Sequence, residues 1–206
     1  ERGLGRAEAA GSPSSIAVLP FANLSGDAGK DYFSDGMSEE LLNLLARVPG
    51  LKVAARTSAC AYKGRNVDVR EVGKELGVET VLEGSVRQSG DQVRITAQLI
   101  DARTGFHLWS ETYDRQMADI FAVQDEIATA IVYELRFELA PKEQHFFLRD
   151  AAPTENVEAY ESYLQARAIW KRRGEDNLKR AIELYQSALA HDPGFARAHA
   201  GLASAY

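Results

Sequence analysis

Residues 15–20 read Ser-Ile-Ala-Val-Leu-Pro without a charge, the pattern of a short strand buried on both faces. The polar stretch 23–35 follows as its loop. Met37, Leu41, Leu44, Leu45 and Val48 then recur at helical spacing, which predicts a helix over 34–48 with Glu39, Glu40 and Asn43 facing water. Pro49-Gly50 ends it. Residues 51–55 read as a second strand. Asp68-Val-Arg-Glu71 opens the next helix as an acidic version of a capping box, with Val69, Val72 and Leu76 on its inner face. Gly77 stands where a left-handed cap is needed. Strand, helix, strand, helix in short order implies right-handed crossovers onto a partly parallel sheet.

Residues 79–88, 92–101 and 106–113 form three strand-like runs linked by Ser89-Gly90-Asp91 and Ala102-Arg103-Thr104-Gly105, the signature of an antiparallel meander. In the middle run Val93, Ile95, Ala97 and Leu99 alternate with Arg94, Thr96 and Gln98, giving one buried and one wetter face. A long amphipathic helix over 119–139 carries Ile120, Val123, Ile127, Ile131 and Leu135 on one stripe and would cover one sheet face. Pro141 ends it. Three more helices are predicted at 156–172, 176–190 and 194–206. The expected organisation is a linker at 1–14, an α/β domain at 15–140, a linker at 141–155 and an all-α segment at 156–206. In class terms this is α/β (α+β), a mixed sheet of about five strands with three helices, followed by helices alone.

In the last quarter Ala181, Tyr185, Ala188 and Pro193 fall at spacings of 4, 3 and 5. Small residues let a neighbouring helix come close, Tyr185 fills the space between them, and Pro193 stops the helix. These residue types and gaps are similar to the second helix of a tetratricopeptide repeat, a unit that binds other proteins. Residues 195–206 resemble the first helix of a following repeat. Ala166 and Ala203 are 37 apart, where the repeat has about 34, which implies a longer turn at 171–175. Since a lone repeat cannot bury its apolar face, and the chain starts with Glu rather than Met, it reads as part of a longer protein.

The net charge is −6. Residues 154–206 carry 7 acidic and 7 basic side chains, so the front region holds the whole acidic excess, which disfavours nucleic-acid binding. No run approaches a membrane span or a signal peptide, so membrane association is expected only through an anchor outside this sequence. One cysteine, Cys60, excludes an internal disulfide. Nothing sets an oligomeric state.

Candidate chemistry is sparse. Gly26-Asp-Ala-Gly-Lys30 resembles part of a phosphate-binding loop, but Leu24 stands for the first glycine and Asp31 for the hydroxyl that would hold magnesium. Asp27, Asp31 and Asp35 lack the alternate spacing of a calcium loop and read as caps. His107, His145, His191 and His199 lie on separate elements, so no metal ligand set forms. Cys60 has no base beside it, and neither a catalytic residue nor a cofactor is expected. His107, Trp109, Glu111 and Tyr113 share one face of a strand, as a ligand-facing patch or as packing against the helix near residue 119. Tyr160, Tyr163, Arg167 and Trp170 lie on the first repeat helix as candidate partner-binding residues, or Tyr160 and Trp170 seal it against the front domain.

The strings at 16–27, 32–41, 82–86, 93–101 and 108–109, among them Ile-Ala-Val-Leu-Pro-Phe and Tyr-Phe-Ser-Asp-Gly-Met-Ser-Glu-Glu-Leu, are similar to the TolB amino-terminal-like α/β domain. The resemblance implies a non-catalytic region on the periplasmic side of the bacterial inner membrane, with a cytoplasmic location as the alternative. It would sit in an anchored signalling protein whose head is an adenylate cyclase or a winged-helix transcription regulator. A protein partner would dock through the repeat helices. The rival function is small-molecule sensing near 23–35 and 57–66, at the ends of parallel strands.

Overall fold

All four residues of β1 (Ser15–Val18) are buried, as its uncharged run predicts. It lies between β3 (Lys52–Val53) and β4 (Thr80–Ser89), parallel to both. This is the computed structural model of the chain, describing residues 15–135 and 154–206. The linker expected at 1–14, residues 141–153 of the linker expected at 141–155, the tail of the helix beyond 135, and His145 lie outside the described residues.

Pro20 has no amide hydrogen, so the ladder breaks there. Phe21 N donates to Ser38 Oγ at 2.8 Å, and the chain rejoins β4 as the two-residue β2 (Ala22–Asn23). β4, β5 (Gln92–Asp101) and β6 (His107–Gln116) form the expected meander. The order is β3-β1-β4-β5-β6, with β2 also on β4. Six strands stand where about five were expected because β2 opens the stretch read as loop.

In β6 the pairing shifts, with Leu99 opposite Trp109 but Ile100 opposite His107. Leu108 is the extra residue of a bulge, which reverses the alternation around it. His107 therefore does not share the face of Trp109, correcting the four-residue patch. Trp109 packs on the main core. Tyr113 is buried and its hydroxyl donates to Glu111 at 2.9 Å.

The helices are α1 (Asp31–Leu45), α2 (Arg56–Ala59), α3 (Val69–Leu76), α4 (Ile120–Glu134), α5 (Val157–Trp170), α6 (Glu175–His191) and α7 (Ala196–Ala205). α1 begins before residue 34 because Asp27 accepts from Gly29 N and caps a single 3-10 turn that runs into it. α2 is one turn, too short to leave a period in the sequence. Asp68 caps α3, and Gly77 closes it at φ 65°, the left-handed conformation anticipated.

One sheet face meets α1 and α4 through Met37, Leu41, Leu45, Val123, Ile127 and Ile131. The opposite face has a small cluster of Ala17, Val81, Val72, Tyr62 and Ala102. The larger cluster continues into α5, α6 and α7 through Leu164, Tyr160, Tyr185 and Phe195. Helices and sheet thus share one apolar interior.

Candidate functional site

α1 has two working stripes. Met37, Leu41 and Leu45 face the sheet side, while Gly36, Glu39, Glu40 and Asn43 repeat on another line of the same helix. At Gly36 the missing side chain sets the approach, since a Cβ there would lie 2.6 Å from Leu164 Cδ1 on α5. Three and four residues on, one turn along the helix, the carboxylates of Glu39 and Glu40 meet arginines from the C-terminal helices. Arg167 of α5 donates to Glu39 Oε1, and Arg56 of α2 donates its Nε to Glu39 Oε2 at 2.9 Å. Arg197 of α7 donates Nη1 to both oxygens of Glu40, at 2.6 and 2.8 Å.

Glu40 is 1% exposed, which corrects the expectation that it faces water. A carboxylate can be buried there because a guanidinium satisfies both oxygens. Burial depresses, and Glu40 raises, the affinity of Arg197 for its proton; the net direction is upward. Arg167 moves the same way against the same desolvation, held by Glu39.

Aromatic rings surround these ion pairs. Tyr160 is buried, stands edge-on to Phe121 of α4 at 5.1 Å, and its hydroxyl accepts from Gln124 Nε2 at 3.3 Å. Tyr163 packs on Phe195 at 4.9 Å and carries Arg167 over its ring at 5.5 Å. Burial raises the phenol pKa of Tyr160 and Tyr163, and pushes that of Tyr185 up to about 12. Of the four sequence candidates, Tyr160, Tyr163 and Arg167 thus meet at the junction with the sheet layer. Trp170 lies at its rim, 40% exposed.

Below Trp170 a solvent-open groove of about 650 Å³ runs between α1, α2, α5, α6 and α7. Arg47, Arg56, Arg167, Lys171 and Arg197 line it, with Tyr185 in its wall. Sequence reasoning missed Arg47, Arg56 and Arg197, because their meeting depends on how distant helices pack. Of the five cations, Arg167 alone stood among the candidate partner-binding residues.

The other candidates sit apart. Gly26 and Lys30 belong to the capped turn before α1, where Asn23 Nδ2 donates to Asp31 Oδ1 and to Asp27 O, both at 2.8 Å. Lys63 pairs with Asp35 at 2.7 Å. A cleft of about 540 Å³ opens beside Pro20, Phe21, Tyr62, Lys63 and Glu83, where the sensing alternative was placed. Cys60 is exposed. No group of three metal-ligating side chains occurs among the described residues, and none of their helices is long and apolar enough to cross a membrane.

A family model for the second domain of HilA/YgeH-like transcriptional regulators matches residues 12–130. The chain belongs to this family. The HilA/YgeH-like match covers the sheet and its helices and stops before α5. Over 188 residues the chain is 46% identical to "Putative adenylate cyclase 3" of Rhizobium meliloti (strain 1021), covering 91% of this chain and 32% of that protein. The chain therefore spans about a third of the length of the curated relative it matches. Solved structures similar to 62% of this chain include TolB from Acinetobacter baumannii, at 19% identity over 30% of that chain with a TM-score of 0.45. Another is lipoprotein GNA1162 from Neisseria meningitidis, at 22% identity over its full length with a TM-score of 0.44.

Proposed function

We propose that this chain is a non-catalytic protein-recognition module of a membrane-anchored bacterial signalling protein, of adenylate cyclase or transcription regulator type. Helices α5, α6 and α7 act in it as tetratricopeptide-type repeats, on the periplasmic side of the inner membrane; a cytoplasmic placement is the alternative. The observation that carries this reading is the groove where the two parts of the chain meet, with Trp170 exposed at its rim. Aromatic side chains at the edge of a pocket are frequent anchors in protein interfaces. The repeat-type packing is supported by Gly201, whose Cβ would lie 2.4 Å from the Tyr185 ring. Ala181, Ala188 and Ala198 are buried with it. The regulatory description of the family and the cyclase name of the relative support a signalling context.

In this scheme Tyr163 and Arg167 set the wall, Tyr160 seats the helix against α4 behind it, and Trp170 makes the contact. A partner that favours one arrangement of α5 and α7 on α1 would pass its binding energy to the rest of the protein. The test is a photo-crosslinking residue at position 170 of the full-length protein, with position 106 as control, since Phe106 is 73% exposed on the far strand end. A discrete cross-linked protein from 170 and none from 106 is expected. Turnover of a substrate by the purified chain, lost on replacing one side chain, would overturn the reading.

The cleft beside Tyr62 and Lys63 favours small-molecule sensing as a second reading, because it opens at the carboxyl end of β1. Ligand-dependent thermal stabilisation abolished by Lys63→Ala would select it.

A further inference from the structure

We propose that the groove below Trp170 binds an acidic segment of a protein partner, taking its carboxylates on Lys171 and the outer faces of Arg56, Arg167 and Arg197. The inference rests on the recognition reading above and adds the chemistry of the partner. Five cationic side chains line the groove, and a single carboxylate, that of Glu39, lines it with them. Glu39 is already shared by Arg56 and Arg167, and Glu40 behind it is taken by Arg197. Among the described residues Arg56, Arg167, Lys171 and Arg197 thus face only the two carboxylates of Glu39 and Glu40, an excess of positive charge within a protein whose overall charge is −6.

Lys171 reports that excess. Its pKa is lowered first by desolvation and then by Arg56 and Arg167, which outweigh Glu39 and Asp35. Among the described residues no ion pair forms at Lys171 within salt-bridge distance. An incoming carboxylate would relieve repulsion as well as gain attraction.

The arrangement selects carboxylates on a chain over other anions. The cations come from α2, α5, α7 and the turns that follow α1 and α5 rather than converging on one point, which suits several separated charges. The chain itself shows the pairing, since two adjacent glutamates presented by one helix are each held by an arginine at this place. The indole of Trp170 offers an apolar side chain of the same segment somewhere to rest. A long polyanion would meet the acidic remainder of the molecule, whereas a short segment feels chiefly the charges within about 10 Å.

The test is fluorescence anisotropy of a short labelled peptide of glutamates and leucines with the 206-residue chain. Binding that weakens with salt is expected, and about tenfold weaker binding for Lys171→Glu. Lys179→Glu is the control of equal charge change, because Lys179 pairs with Glu175 on an exposed face of α6. Absence of binding, equal losses in the two variants, or readier displacement by a single-stranded oligonucleotide than by unlabelled peptide would each overturn the proposal. If the peptide fails while position 170 still cross-links to a protein, the acidic chemistry falls and the recognition reading stands.

Discussion

The two sides of α1 hold the molecule together by different physics. Towards the sheet and α4, Met37, Leu41 and Leu45 make a dry contact that any apolar residues of similar volume could approximate. Towards α5 and α7, Gly36, Glu39 and Glu40 make a contact that tolerates only specific partners at specific positions. The first contact stabilises through buried apolar area, and the second fixes the register in which the C-terminal helices dock. A buried ion pair adds little net stability over an apolar replacement, yet losing half of it is costly. The difference teaches that the attachment of α5 and α7 is conditional on charge in a way that the attachment of α1 to the sheet is not.

The largest effect should come from the dry side. Leu41→Ala is expected to cost about 3–4 kcal/mol in urea unfolding, from lost transfer energy and the cavity left behind. The transition should stay single, because the same apolar cluster continues into the C-terminal helices. Two separated transitions would break the picture of a shared interior.

Next, Arg197→Ala strands the Glu40 carboxylate and should cost about 3 kcal/mol, while the double replacement Glu40→Leu with Arg197→Leu should return to within about 1 kcal/mol of the parent. If the single variant is silent, the charged contact does not fix the register.

Alkali should act strongly on the helical side, where three buried phenols sit together. Tyr185, Tyr160 and Tyr163 have raised pKa values, so the unfolded chain loses phenol protons first as pH rises. The stabilising contribution of Tyr185 is complete below the ordinary phenol value of 10.0 and disappears as pH climbs through about 12. Near-ultraviolet dichroism of the tyrosines should fall in that window ahead of the far-ultraviolet signal.

The smallest effect sharpens the contrast on the acid side. Arg70 beside Asp68, through its guanidinium and its backbone N–H, lowers that carboxyl to about 2. The cap on α3 therefore stabilises above 3.8 and weakens as pH falls towards about 2. Asp68→Asn should flatten this slight dependence in acid unfolding curves while leaving the junction with α5 and α7 untouched.

What could be read in advance follows the same division. The apolar stripe of α1, the meander and the Gly77 cap are local patterns, and each lay where its spacing put it. Glu39 and Glu40 read as solvated because their partners are 128 and 157 residues away, beyond the reach of any periodicity. The bulge at Leu108 escaped because strict alternation was assumed through β6. Tyr160 and Trp170 share residue class and helix; burial alone separates them, at 1% and 40% exposure. The cationic groove was invisible because its members come from three different helices and two helix ends.

The bulge has a further effect on the sheet's borders. One border, β3, is only two residues long. The other, β6, is kinked at Leu108 and carries Glu111, Asp114 and Arg115 along its length. Neither offers the long flat row of donors and acceptors that lets sheets of neighbouring molecules fuse. Crowded copies of this chain are thereby steered away from fibre-like stacking.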